Sequence, residues 1–278
     1  MYTAFYRLSE DPFGPDPDPR FFFESPGHKR ALAYLRFGLT QDQGSVIITG
    51  ARGIGKTTLI RRIANQLVAR HLVAVRLQVP PGGLPGLTAA VAEQLGIAVV
   101  GRSEAQLLSG LKGHLATLRQ NGKRVYLVLD EVQHLSAQAL DELQLVLGLR
   151  TGSRRLMPGL LFADAEFRDT LRTPERQELR HCTSVAYQVN PFSLEETIAY
   201  IEHRLRLVDW RDDPVFLPLA HMEVYFLGMG IPGRINRLCA QALTYAAREG
   251  LHEVKAETVD TAAAQLPPEP QSEAHGPW

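Results

Sequence analysis

Apolar runs and helical stripes alternate along the first two thirds of the chain. Five short runs, each typical of a strand buried on both faces, lie at residues 45–49, 73–79, 125–129, 159–163 and 184–189. Between most of them, apolar residues recur every three to four positions, which indicates helices. Strands that alternate with helices form a parallel sheet covered on both faces, so we predict an α/β domain over residues 44–190.

Beyond residue 190 the strand-like runs stop, and the helical spacing continues. Apolar stripes run over residues 194–208 and 235–246, and Ser193 with Glu196 forms the capping box that begins a helix. We therefore predict a small all-helical domain over residues 191–266.

The two ends of the chain lack both patterns. Residues 1–25 are rich in proline and aspartate and carry three consecutive phenylalanines, which indicates an irregular arm, and a helix is predicted over residues 26–39. We expect the segment 1–43 to pack on the α/β core. Residues 267–278 are polar and proline-rich, which is typical of a disordered tail.

A glycine-rich loop follows the first apolar run. Residues 50–57 read GARGIGKT and fit the pattern G-x-x-x-x-G-K-[ST], in which backbone N–H groups surround phosphate oxygens at a helix N-terminus. In this pattern Lys56 reaches the β and γ phosphates, and Thr57 offers its hydroxyl to Mg²⁺. The predicted ATP-binding residues are Gly50, Ala51, Arg52, Gly53, Ile54, Gly55, Lys56, Thr57 and Thr58.

Two adjacent acids follow the third apolar run, in the stretch VYLVLDE. Asp130 is placed to complete the magnesium shell with Thr57, and Glu131 to polarise the attacking water. Acids after a strand also serve as helix caps, but the glycine loop upstream favours a nucleotide site. We predict Lys56, Asp130 and Glu131 as catalytic residues, with ATP and Mg²⁺ as the ligands.

Weaker candidates surround this core. Gln133 and His134 either help to orient a water molecule or belong to a solvated helix start. The arginines between residues 150 and 180 are interleaved with acids, which fits a mixed-charge surface, a trans-acting arginine or a nucleic-acid stripe. Arg234, in GIPGRINRLC, begins a helix of the second domain, where it either reaches the nucleotide or is solvated.

The net charge, the cysteine count and the length of the apolar runs bear on which classes of function are expected. Thirty basic residues balance thirty acidic ones, so net charge gives no argument for nucleic acid or an anionic membrane. Two cysteines make no disulfide framework, and the chain shows neither a signal peptide nor an apolar run of membrane-spanning length. We expect a cytoplasmic protein without a membrane span.

Four longer stretches carry a family resemblance. FYRLSEDPFGPDPDPRFFFESPGHKRALAYLRFGL, LDEVQHL, EETIAYIEHRLRLVDW and GIPGRINRLC resemble the ExeA/GspA-like branch of the AAA+ ATPases, most nearly those associated with XrtA exosortase (PEP-CTERM) exopolysaccharide systems. The resemblance spans residues 1–265. It implies a P-loop NTPase with a helical lid, ATP between the two domains, and a homo-oligomeric ring or filament. It also implies envelope or polysaccharide-export protein partners, through which the chain would be peripheral at the inner membrane.

Three positions depart from this family. Where the family reads LLGQPEF, the chain has LLFADAEF, with Asp164 in place of a glutamine that senses the γ-phosphate. Where it reads QLRQR, the chain has ELRHC, with Cys182 in place of an arginine that acts on a neighbour's nucleotide. Where it reads GGIPRRIN, the chain has MGIPGRIN, with Gly233 in place of the first arginine.

These departures concern hydrolysis more than binding. A carboxylate facing the γ-phosphate would repel it, and arginine fingers contribute strongly to the rate. We therefore expect intact nucleotide binding, with hydrolysis that is slow or depends on a partner's arginine. Arg176 and Arg180 are the candidates to substitute for it.

Two other functions compete. DNA-associated AAA+ regulators of the transposition-targeting or replication-loading type share this core, but zero net charge and the lack of room for a winged-helix module after the lid count against them. A catalytically inactive scaffold would explain the departures, but the intact Lys56, Thr57, Asp130 and Glu131 argue against it.

Overall fold

The computed structural model describes residues 2–15, 18–40, 44–69 and 71–267. Residues 268–278, where the sequence predicts a disordered tail, lie outside the described residues. The helices are α1 (Tyr2–Phe5), α2 (Pro26–Thr40), α3 (Lys56–Ala69), α4 (Leu87–Gln94), α5 (Glu104–Gln120), α6 (Ala137–Gly148), α7 (Phe167–Arg172), α8 (Gln177–His181), α9 (Leu194–Arg206), α10 (Pro218–Gly228), α11 (Pro232–Arg248) and α12 (Ala256–Ala264). The strands are β1 (Ser45–Gly50), β2 (Val73–Gln78), β3 (Val125–Asp130), β4 (Arg150–Thr151), β5 (Arg154–Arg155), β6 (Gly159–Ala163), β7 (Thr183–Val189), β8 (Val215–Phe216) and β9 (Glu253–Val254).

Five strands form one parallel sheet in the order β2-β3-β6-β1-β7. This confirms the five strands and the α/β class that the apolar runs predict. Strands β1, β3 and β6 are buried along their whole length, which is why their sequences are apolar on both faces. Because all five strands run in the same direction, Gly50 at the end of β1 and Asp130 at the end of β3 lie at the same edge of the sheet.

The sheet belongs to a compact unit that comprises residues 29–50 and 59–189, here called the sheet unit. Its apolar core joins the sheet to the helices that follow β2 and β3. Leu87 and Val91 of α4, Leu111 of α5 and Leu143 of α6 are all fully buried in that core. A short hairpin of β4 and β5, which the sequence pattern misses, precedes β6.

A second compact unit, here called the lid unit, contains residues 190–267 together with the glycine loop, residues 51–58, and the described part of the first 28 residues. Its core contains Phe13 and Phe21 of the arm together with Ile201 and Ile235 of the lid helices. The structure therefore corrects the expectation that the arm packs on the α/β core: its aromatic residues share the apolar core of the lid helices.

The lid unit is helical apart from one small feature. Strands β8 and β9 pair in parallel through Val215 with Glu253 and Phe216 with Val254. The prediction of a helical domain is therefore confirmed apart from this pairing, whose runs of two residues are too short for a periodic signal. The capping box that begins α9, with Ser193 and Glu196, is confirmed.

Candidate nucleotide-binding site

The glycine loop is a tight turn that ends in helix α3. Gly53 and Gly55 have φ angles of +79° and +103°, which side-chain-bearing residues rarely adopt. The Ile54 N–H donates to the Ala51 carbonyl over 3.2 Å, and Lys56 Nζ donates to the same oxygen over 3.3 Å. Lys56 is only 6% exposed. The turn therefore holds a buried ammonium group at the beginning of a helix.

A histidine that the sequence analysis missed contacts this loop. His28, in the first turn of α2, is buried, and its Nε2 lies 2.9 Å from the Ile54 carbonyl oxygen. A Cβ atom on Gly55 would lie 3.0 Å from the same nitrogen. The sequence carries no signal for this contact beyond the histidine itself, since the partner is a backbone atom 26 residues away.

The first turn of α11 also touches the loop, through backbone. The Gly233 N–H donates to the Gly53 carbonyl over 2.9 Å, and a Cβ atom on Gly233 would lie 3.1 Å from Gly53 Cα. This close approach explains why a glycine stands where the resembling family has an arginine. A larger residue here would press on the backbone of the loop.

Arg234 lies on a different face of α11 from Gly233. Its Nη1 is 2.9 Å from Met229 Sδ, and its side chain lines a cavity of about 250 Å³ with Arg237, Leu238 and Leu266. No loop residue lines that cavity. The contact of Arg234 with nucleotide stays a prediction, and the residue of this turn that bonds to the loop is Gly233.

The acidic pair lies in the sheet unit. Asp130 is the last residue of β3 and is 3% exposed, and its Oδ1 accepts the Glu131 N–H over 2.9 Å. Glu131 has a φ of +56°, a left-handed conformation that is uncommon for a residue with a side chain and is often found at functional sites. The backbone therefore turns sharply between Asp130, which ends the strand, and Glu131, which follows it.

Gln133 connects Glu131 with the end of β6. Its Nε2 donates to a Glu131 carboxylate oxygen, and its Oε1 accepts the Asp164 N–H over 3.1 Å. The Asp164 carboxylate accepts the Phe167 N–H over 3.3 Å and so caps the first turn of α7. The expectation that Asp164 faces a phosphate stays a prediction, since one of its carboxylate oxygens bonds to the start of α7; the glutamine that touches Glu131 is Gln133.

Cys182 is buried beside an arginine. Arg155, which is 2% exposed, donates to Cys182 Sγ over 3.1 Å and to the Leu147 and His181 carbonyls over 2.7 and 3.1 Å. The thiol therefore lies inside the sheet unit, where it is an acceptor for a buried guanidinium group.

Arg176 and Arg180, the candidates to replace the trans-acting arginine at whose position Cys182 stands, have partners within the sheet unit. Arg176 is buried and forms an ion pair of 2.5 Å with Asp141. Arg180 is exposed, but its Nη1 donates to the carbonyls of Leu171 and Thr173. Arg176 is therefore not presented to another molecule, and Arg180 is held against its own unit.

The side chains fit a nucleotide with a divalent cation. The buried Lys56 ammonium and the glycine backbone suit phosphate oxygens, and the Thr57 hydroxyl and Asp130 carboxylate are the oxygen ligands that Mg²⁺ prefers. One residue before Gly50, the buried Thr49 Oγ1 has no hydrogen-bond partner among the described residues. Within the same part of the chain, no helix combines the length and the apolar content that a membrane crossing requires.

Part of the chain is similar to known proteins. Residues 39–171 match the family described as AAA domain. The chain is 33% identical over 267 residues to General secretion pathway protein A of Aeromonas hydrophila, an alignment that covers 96% of this chain and 48% of that protein. The chain therefore spans about half the length of the relative that it matches.

Solved structures share the fold. Cdc6p from Pyrobaculum aerophilum has a TM-score of 0.68 at 14% identity, covering 92% of this chain and 70% of that one. The ORC2 protein of Aeropyrum pernix, in its ADPNP-ADP complexes, has a TM-score of 0.60 at 19% identity, covering 88% and 70%. At these identities the likeness shows the fold alone, a parallel sheet flanked by helices of the AAA+ P-loop type.

Proposed function

We propose that this chain, which has the AAA+ P-loop fold with an AAA domain at residues 39–171, is an ATP-binding ATPase that acts as a nucleotide-dependent switch or assembly factor. One observation carries the proposal. A glycine loop with a buried lysine follows β1, and a buried aspartate with an adjacent glutamate ends β3 of the same parallel sheet. Phosphate-binding loops and magnesium-binding acids occupy these positions in P-loop ATPases.

Each residue has a distinct role in this proposal. The backbone of residues 50–58 holds the phosphates, Lys56 neutralises their charge, and Thr57 with Asp130 would hold Mg²⁺, which would supply further positive charge to the phosphates. Glu131 accepts a proton from the attacking water. Gln133 occupies one Glu131 oxygen as a donor, which fixes the orientation of the carboxylate and leaves its other oxygen to act on water.

Hydrolysis is proposed to be slow or dependent on a partner. The position at which the family carries its trans-acting arginine holds the buried Cys182, and Arg176 is committed to Asp141. Gly233 supplies a backbone contact where the family has a side-chain charge. An arginine supplied by another protein would then raise the rate, since such groups contribute about 10³-fold to 10⁵-fold.

The cellular role is proposed from similarity. The relative from Aeromonas hydrophila is named for the general secretion pathway, which supports a role in a secretion-type system of the cell envelope. Within that class we favour exopolysaccharide systems of the XrtA type, a homo-oligomeric ring or filament, and export-protein partners that bring a cytoplasmic protein to the inner membrane.

The test is ATP turnover measured together with particle size. We expect the wild-type chain to bind ATP and turn it over at well under one per second, Lys56→Ala to bind ATP about tenfold to a hundredfold more weakly, and Glu131→Gln to retain nucleotide in a larger assembly. The exposed Lys123 and Glu166 supply matched controls as Lys123→Ala and Glu166→Gln. Turnover of several per second by the isolated chain would contradict slow hydrolysis, and a Glu131→Gln protein that traps no nucleotide would contradict the role of Glu131.

DNA binding is the outcome that would favour the alternative function, a DNA-associated regulator. A duplex that binds with an affinity falling steeply as salt rises would indicate several phosphate contacts. Affinity that stays weak and independent of added ATP would favour the envelope role.

A further inference from the structure

The neutral imidazole of His28 contacts the glycine loop from the side of the arm. The Ile54 carbonyl oxygen can only accept a hydrogen bond, so the His28 nitrogen 2.9 Å from it, Nε2, carries the proton. The other nitrogen, Nδ1, lies 2.8 Å from Ser25 Oγ and accepts its hydrogen in the neutral ring. Both nitrogens are thus engaged, which defines the tautomer and the orientation of the ring.

We propose that His28 is a positioning residue for phosphate binding, which holds the Ile54–Gly55 peptide so that the Gly55 N–H faces the phosphates of a bound nucleotide. This inference rests on the proposed ATP-binding function.

The peptide group between Ile54 and Gly55 has one carbonyl and one N–H, and their directions are linked. The bond between Ile54 and Gly55 is trans, so the Ile54 carbonyl and the Gly55 N–H point in opposite directions within one plane. A donor that holds the carbonyl on the arm side therefore directs the N–H away from the arm. Gly55, with a φ of +103°, has no Cβ atom to restrict its backbone, so without that donor the Ile54–Gly55 peptide can rotate and its N–H can face the other way.

The neighbouring peptide is held in the same way. The Gly53 carbonyl, one residue earlier, accepts the Gly233 N–H of α11 over 2.9 Å. Two consecutive loop carbonyls are therefore held from within the lid unit, one by a side chain and one by backbone. Reversing this part of the loop would break both bonds, so the two contacts act together to order it.

The surroundings of the ring keep it rigid and uncharged. Phe22 and Phe192 pack edge-on against the imidazole, with centroid distances of 5.7 and 5.8 Å. Burial lowers the pKa of His28 below its ordinary value, against the opposing effects of the Ile54 carbonyl and Glu196. In the neutral ring Nδ1 accepts the Ser25 hydroxyl hydrogen while Nε2 donates to the loop, so both bonds that orient the imidazole are kept.

Three variants separate positioning from packing. His28→Phe keeps a ring among the aromatic neighbours and removes the donor, whereas His28→Gln restores an N–H near the place of Nε2. His221→Phe is the matched control, because His221 is a buried histidine of α10 whose ring packs against Phe216 at a tilt of 35° in the same lid unit. The probe is a fluorescent ATP analogue, and the thermal midpoint of each variant is measured in parallel.

We expect His28→Phe to weaken binding of the analogue by about fivefold to tenfold, the effect of one lost hydrogen bond. His28→Gln and His221→Phe should stay within about twofold of wild type. The positioning role is overturned if His28→Phe binds the analogue as tightly as wild type does. It is also overturned if His28→Gln binds as weakly as His28→Phe and both losses follow a lower thermal midpoint. In either case the proposed nucleotide binding stands. If His28→Phe does not fold, Ser25→Ala takes its place, because it removes the group that orients the ring.

Failure of the underlying function looks different. A wild-type chain that does not bind the analogue, or a Lys56→Ala chain that binds it equally well, would overturn the proposed function and this inference with it.

Discussion

Replacing Cys182 with arginine restores the residue of the resembling family, and the structure predicts that it will destabilise the protein rather than activate it. The thiol is 5% exposed and lies 3.1 Å from the Arg155 guanidinium, which is itself 2% exposed. The backbone of residue 182 is held on both sides, by Glu178 and by Ser45, over 2.9 and 2.8 Å. A new side chain at this position therefore starts from inside the sheet unit.

The expected cost follows from the charges. Two like charges about 4 Å apart repel by about 4 kcal/mol at an effective dielectric constant near 20. If the new arginine turns away instead, it displaces its neighbours, and overpacking costs about 1–3 kcal/mol. Either result removes a large part of a typical free energy of unfolding of about 5–15 kcal/mol.

Urea denaturation measures this loss, and ATP turnover is recorded on the same samples. Cys182→Ser is the control, since its hydroxyl can still accept from Arg155, and the double variant with Arg155→Met should recover part of the loss because one charge is gone. A Cys182→Arg protein within about 1 kcal/mol of wild type, and with faster turnover, would refute the placement of this residue in the interior.

Three further outcomes are expected. Gly55→Ala should abolish ATP binding and lower the free energy of unfolding by about 1–3 kcal/mol, because Gly55 has a φ of +103° and contacts His28. The control Gly113→Ala lies in open space on α5 and should raise the free energy of unfolding by about 0.5–1 kcal/mol. Denaturation midpoints measure the stability of both variants, and calorimetric titration measures their ATP binding. Glu131→Gln should co-elute with ATP on size exclusion while wild type does not, and co-elution of neither would count against the role of Glu131. Burial lowers the pKa of both His28 and His221, so below about pH 6.5 the unfolded chain takes up protons that the folded chain does not. The free energy of unfolding should therefore be highest above about pH 6.5 and fall as the pH drops below it. In His221→Phe this fall should be smaller, because one of the two histidines is gone. Unfolding curves that are flat between pH 5 and 7 would contradict the last expectation.

Features that arise from local sequence patterns are easier to predict than contacts between residues that are far apart in the chain. The glycine loop and the acids after β3 are local patterns whose spacing follows from phosphate and strand geometry, and the five long strands follow from runs of buried residues. The short pairing of β8 and β9 involves runs of two residues, which give no periodicity.

Contacts between distant residues account for the remaining differences. The bond of His28 to Ile54 uses a backbone oxygen, and the bond of Gly233 to Gly53 uses only backbone atoms. The residue types of the partners therefore do not predict either bond. The family resemblance predicts that Asp164 faces phosphate, but it does not predict that one oxygen of the Asp164 carboxylate accepts the Phe167 N–H at the start of α7. Such roles depend on where the side chain points, which spacing alone does not determine.

The central claim is that the loop after β1 binds ATP through Lys56. Calorimetric titration of ATP with Mg²⁺ into the wild-type chain, Lys56→Ala and Lys123→Ala tests it most directly. The account predicts saturable binding with one site per chain, unchanged in Lys123→Ala and weakened about tenfold to a hundredfold in Lys56→Ala, the effect of a lost charged hydrogen bond. Equal affinities in all three proteins, or no binding by wild type, would contradict it.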